Sequence, residues 1–192
     1  MTKSQEDVVR AALEVLRDEG AAGVSMRAIA ARLGVRMNTV VWHAKSKARL
    51  EELMADAIVA GARLDGLPDD GRERAVEIAH RYRRALLAHR DGAIVVAGTY
   101  AAEPATLDLA EALAAALLDA GMAEREAGWT LWAIVYFVLG LVQEEQALPA
   151  RATGTLDPGD RPALRRLFPA LTEESFDARF AHGLARLLGT GA

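Results

Sequence analysis

The side chains best suited to chemistry in this 192-residue chain lie between Arg27 and Lys47. The chemistry they offer is recognition of a nucleic acid. Arg36, Met37, Asn38 and Thr39 stand together at the start of a short helix expected over Arg36–His43. An Asn amide can pair bidentately with adenine and an Arg guanidinium with guanine, so these four are the candidates to meet base edges. No Asp or Glu occurs from Gly20 through Leu50, while Arg27, Arg32, Arg36, Lys45, Lys47 and Arg49 all do. Such a window attracts phosphate without an opposing charge. A solvated basic face is the plain alternative, and the coincidence of the charge with a turn pattern argues against it.

Bond-making chemistry has little support. The chain has no Cys, which removes thiolate zinc sites, disulfides and cysteine nucleophiles together. Its four histidines are His43, His80, His89 and His182, with none of the paired spacings of metalloproteases. The adjacent Glu144 and Glu145 have no evident second carboxylate or metal partner in the sequence, and no Gly-rich phosphate loop is present. The expectation is a protein that is not an enzyme, with no cofactor and no metal.

The elements that position the recognition residues are legible around them. Ser25 is placed to cap a helix that carries Ile29, Ala30 and Leu33 on one face. Gly34 can end it in the left-handed conformation, and Val35 is the apolar plug between two helices meeting steeply. Ser46 caps the next helix. Helix, Gly-centred turn, helix is the helix-turn-helix arrangement. Residues 1–50 carry nine Lys/Arg and five Asp/Glu, whereas residues 51–192 carry fourteen and twenty-two. A basic head on an acidic body follows, with the boundary expected at residues 48 and 49.

The rest reads as all-α. Helices are expected over Gln5–Glu19, Ser46–Leu64, Gly71–Arg90, Pro104–Ala120, Glu124–Gln146 and Thr172–Leu188, with short ones near Ile94–Val96 and Ala163–Leu167. Ala147–Pro162, with three prolines and two glycines, reads as a mobile loop. The sixteen-residue apolar run Ala127–Val142 is shorter than a membrane span and apolar almost all round. Protein must cover it on several faces. A homodimer pairing 124–146 and 172–188 with their two-fold copies is the economical answer, with Leu139 and Phe180 in its core. A monomer with 124–146 as its central helix is the alternative. The start, MTKSQEDVVR, is too polar for a secretory leader, so the chain is expected to be cytoplasmic with no membrane partner.

The run from Val24 to Leu50, VSMRAIAARLGVRMNTVVWHAKSKARL, resembles the signature of the tetracycline-repressor family of bacterial regulators. Arg83–Gly98 and Leu139–Gln146 are similar to segments of the tetracycline repressors themselves. The resemblance implies that Thr39, Trp42, His43 and Lys47 mainly meet the phosphate backbone and that Arg27 reaches a base or a phosphate. Trp42 could equally be a core residue of the head. Val41 stands where family members usually have a Tyr, so one phosphate contact is missing. In the body, the family's metal-binding histidine falls at Val96. Its drug-holding Asn and His fall at Ile78 and Arg63, and a pocket Gln falls at Leu113. Only Thr99 and Glu144 match metal-linked positions.

A cage of Ile78, Tyr82, Val96, Leu109, Leu113, Leu131, Trp132 and Val135, with Thr99, would suit a mostly apolar or aromatic molecule. Plain core packing is the alternative for each aliphatic residue. The reading is a ligand-responsive regulator, most plausibly a repressor, that binds double-stranded operator DNA as a homodimer and releases it on binding a small-molecule inducer. A DNA-architectural protein without a ligand, which a body with no cavity would favour, and a protein-interaction module stay open.

Overall fold

The computed structural model describes residues 3–99, 102–151, 157–172 and 175–189, and within them every regular element is helical. The ten α-helices are α1 (Gln5–Glu19), α2 (Met26–Leu33), α3 (Met37–Ala44), α4 (Lys47–Val59), α5 (Gly71–Leu87), α6 (Gly92–Ala97), α7 (Pro104–Asp119), α8 (Glu124–Arg151), α9 (Pro162–Leu171) and α10 (Phe176–Leu187).

Helices α1 to α3 pack on one another and on the start of α4 to make the head. Local signals set their ends. Ser4 and Asp7 form a reciprocal capping box on α1, and Ser25 and Ser46 cap α2 and α4 through their hydroxyls. Gly34 ends α2 at φ 65°, a conformation that strains any side-chain-bearing residue. The head core is Val8, Val15, Leu16, Ile29, Val40 and Leu50, all essentially inaccessible.

In the body α5 is central, packed against α4, α6, α7 and α8. The face of α8 that carries Ala127, Ile134, Val138 and Val142 is buried against α5, α6, α7 and α10. Phe180 on α10 is wholly buried, stacked on Phe137 at 5.8 Å and edge-on to His80 at 4.8 Å. Gly183 allows the close packing of α10 on α8, since a Cβ there would run into the Phe137 ring. Arg83, nearly buried, ties three helices together by pairing with Glu145 of α8 and Asp177 of α10.

Several sequence expectations need correction. Phe180 belongs to the core of the protomer and so is not a dimer-core residue, while Leu139 is half-buried beside a cavity. The helix expected over Arg36–His43 begins at Met37, because Arg36 is extended (φ −72°, ψ 147°) and serves as its N-cap. The chain stays helical to Arg151 where a loop was expected from Ala147; residues 152–156 of that loop lie outside the described residues. Helix α10 starts at Phe176, capped by Ser175, and Thr172 closes α9. By length and hydropathy Glu124–Ala147 could cross a membrane, which the count of uninterrupted apolar residues excluded. Here that segment packs against α5, α6, α7 and α10.

A candidate DNA-reading head and ligand cavity

The recognition residues lie on one open surface. Arg36, Met37 and Asn38 are exposed and Thr39 is half-exposed, while Val40 behind them is fully buried and fixes the rotation of α3. Trp42 is 68% exposed and is therefore not a core residue. Its ring meets His43 edge-on at 4.6 Å, and the Lys45 ammonium sits 5.2 Å from its centroid. The His43 carbonyl accepts a hydrogen bond from Gln5 Nε2, which ties α3 to the start of α1. Val41 is partly exposed on the same side.

Not every cation of the acid-free window is available. Arg32 is held by Asp18 at 2.8 Å, and Arg49 pairs with Glu52 and Glu103. Arg27 and Arg36 are exposed and, among the described residues, meet no carboxylate; Lys47 pairs loosely with Glu51 at 3.6 Å. The charge pattern located the head, but only the fold separates cations facing outward from those that hold it together.

The head is tied to the body at two places. At the first, Arg49 of α4 grips Glu103, the N-cap of α7, which holds that carboxyl below its usual range. Two turns further along α4, Asp56 accepts from both the backbone N–H (2.8 Å) and the hydroxyl (3.0 Å) of Thr106 on α7. At the second, Asp91, the N-cap of α6, accepts the Ala21 N–H at 2.8 Å, and Arg90 donates to the Asp18 carbonyl at 3.0 Å. Gln146 of α8 secures this corner by donating to the carbonyls of Leu86 and His89 and accepting from Ala93 N–H.

Between α5, α6, α7 and α8 lies a cavity of about 620 Å³. All nine residues singled out in the sequence line it: Ile78, Tyr82, Val96, Thr99, Leu109, Leu113, Leu131, Trp132 and Val135. Trp132 stacks on Tyr136 one turn on, at 5.3 Å and 24°. No charged side chain lines it among the described residues. Burial pushes the Tyr82 phenol far above its usual range, so it stays protonated. Sequence reasoning missed Thr106, Leu107, Tyr136, Leu139 and Gln143. Tyr136, Leu139 and Gln143 follow Trp132 and Val135 at helical steps and could have been found that way; Thr106 carried no such signal.

Two family descriptions match the chain: "Bacterial regulatory proteins, tetR family" over residues 8–53 and "Tetracyclin repressor-like, C-terminal domain" over residues 67–189. The chain belongs to the tetracycline-repressor family. It is similar to the class A tetracycline repressor of transposon 1721 from Escherichia coli, at 37% identity over 96% of this chain and 89% of that one. Among solved structures it resembles a possible TetR family transcriptional regulator from Streptomyces coelicolor A3(2), with a TM-score of 0.87, 33% identity and 97% of both chains covered. It also resembles a TetR variant from Acinetobacter baumannii AYE in complex with minocycline, with a TM-score of 0.75, 32% identity, and 95% and 92% covered. The protein is a ligand-responsive, DNA-binding transcriptional regulator and not an enzyme. Members of the family are soluble and act as dimers on operator DNA.

The resemblance assigns the metal-linked positions to Val96, Thr99 and Glu144. Val96 offers no lone pair, and Glu144 is exposed outside the cavity lining. No cluster of three or more His, Cys, Asp or Glu suited to a metal occurs among the described residues. Magnesium prefers oxygen ligands in near-octahedral geometry and sheds water reluctantly. The donor set here does not fit a chelated magnesium.

Proposed function

We propose that this regulator is a cytoplasmic repressor released from a palindromic operator by a small, largely apolar or aromatic molecule bound without metal. The observation that carries the reading is the apolar cavity, without a charged side chain among the described residues that line it, on which the nine residues converge. A pocket of that size and lining buries a drug-sized planar molecule by apolar contact, with a few polar groups to orient it. The head, taken as residues 1–48, contacts DNA through Arg27, Arg36, Met37, Asn38, Thr39, Trp42, His43 and Lys47. Of these, Arg36, Met37, Asn38 and Thr39 meet base edges and the others mainly the phosphates. The body, residues 49–192, holds the ligand and the dimer contact.

The exposed stripe of α8 through Trp129, Tyr136 and Gly140 supports pairing of α8 and α10 with their copies. Two heads on one face of the duplex then sit about 34 Å apart, one helical turn. Ligand must bind the DNA-free arrangement more tightly, and DNA must weaken ligand binding by the same factor.

The test is calorimetry of the full-length protein against planar polycyclic aromatics, with and without EDTA, beside operator binding by mobility shift. Binding should be insensitive to chelation, and Trp132→Ala should weaken it while leaving operator affinity intact. Affinity that collapses with EDTA refutes the metal-free reading. Failure to bind any promoter DNA at low salt favours a protein-interaction role.

A further inference from the structure

The two threonine hydroxyls in the cavity wall are chemically committed. Thr106 Oγ1 lies 3.0 Å from Asp56 Oδ1, and Thr99 Oγ1 lies 3.0 Å from the Val96 carbonyl oxygen. An ionised carboxylate and a carbonyl can only accept, so in both contacts the threonine hydrogen is already given away. What each hydroxyl still presents to the cavity is lone pairs. Tyr82 is the reverse case. Its O–H stays protonated and has no acceptor among the described residues. Gln143 on α8 has no partner there either and can serve either way. Among the described residues no cation faces the space, so an anionic group taken inside would be buried unpaired.

We infer that the ligand is an uncharged polycycle that brings its own hydrogen-bond donors, hydroxyl or N–H, to the Thr99 and Thr106 side of the cavity and a carbonyl-type acceptor to Tyr82. This rests on the proposal that the cavity is the inducer site and narrows it to a class. Molecules that bear only ethers and carbonyls leave the threonine lone pairs unmatched. Carboxylic acids are excluded because they are ionised at neutral pH and lack a counter-charge in the lining.

The test uses four probes on the full-length protein: anthraquinone, a dihydroxyanthraquinone with its hydroxyls on opposite outer rings, the dimethyl ether of that compound, and an anthraquinone carboxylate. Each is titrated by tryptophan fluorescence in buffer acidic enough to keep the phenols neutral. The diphenol should bind about tenfold more tightly than its ether, the scale of one net hydrogen bond. The carboxylate should bind more weakly than unsubstituted anthraquinone. In Thr99→Val, Thr106→Val or both, the diphenol should lose about tenfold while the ether is unchanged. Thr99→Val leaves the α4–α7 contact alone and so remains informative if Thr106→Val folds poorly. An ether that binds as tightly as the diphenol, or a preference retained in both variants, overturns the inference while leaving the apolar cavity in place. Loss of binding by all four probes removes the inducer-site reading, and this one with it.

Discussion

Replacing Arg27 should weaken the salt dependence of DNA binding and replacing Arg32 should not, although both are arginines on α2. Among the described residues from α2 to the start of α4, three outward cations lack a carboxylate partner, Arg27, Arg36 and Lys45, and a fourth, Lys47, only loosely holds Glu51. Two heads therefore offer six to eight charges to phosphate. With a release of about 0.9 counterion for each phosphate neutralised, log Kd should change with log salt at a slope of magnitude about 5 to 7. Arg32 contributes nothing to that sum, because Asp18 and Glu14 already hold it. Arg27→Ala removes one cation from each head and should lower the slope by about 2. Arg32→Ala should leave the slope unchanged and cost only the ~0–1 kcal/mol of an exposed ion pair in stability. Fluorescence anisotropy on one operator fragment, repeated between about 50 and 200 mM salt, reads both variants directly. Equal slope losses for the two would refute the division of cations into outward and internal sets.

Other outcomes follow from the same geometry. Asn38→Ala should relax specificity at one base pair of each half-site by about 1–3 kcal/mol, whereas Lys47→Ala should weaken operator and random DNA alike; a base-substitution panel separates them. Gly140→Arg puts a cation on the exposed α8 stripe, where a side chain meets nothing within 4 Å, and should give a helical monomer by light scattering. Phe180→Ala should instead destabilise the protomer by about 3–5 kcal/mol, seen in denaturant melts. Burial holds the His80 and His89 pKa values below the ordinary 6.5, so neutral imidazole is favoured in the folded state. Stability should be full above that value and fall as pH drops below it, with a shallower fall in His80→Gln or His89→Gln by thermal melts.

The head was legible in the sequence because its signals are local. Ser25, Gly34 and Ser46 act within one turn of their own positions, and the acid-free window is contiguous. The cavity was legible in part, through family positions and helical spacing on α5, α7 and α8. Thr106 was invisible because its role depends on Asp56, fifty residues away. Phe180 was misread because an apolar helix face looks the same whether a neighbouring helix or another protomer covers it. Only the stacking on Phe137 and the contact with Gly183 decide between them. Arg32 and Arg49 counted toward the basic window alongside the outward cations for the same reason, since an ion pair across a fold leaves no mark in the charge pattern.

Thr106 is at once a wall of the cavity and the group that Asp56 of α4 holds. A lineage that acquires a new inducer by changing this residue also changes the joint between sensor and head, so selectivity and response cannot drift independently there. The α8 wall has no such double duty at Leu131, Val135 and Leu139. Evolution or a biosensor designer seeking a different inducer has freer rein on that side, with the threonine left to preserve the switch.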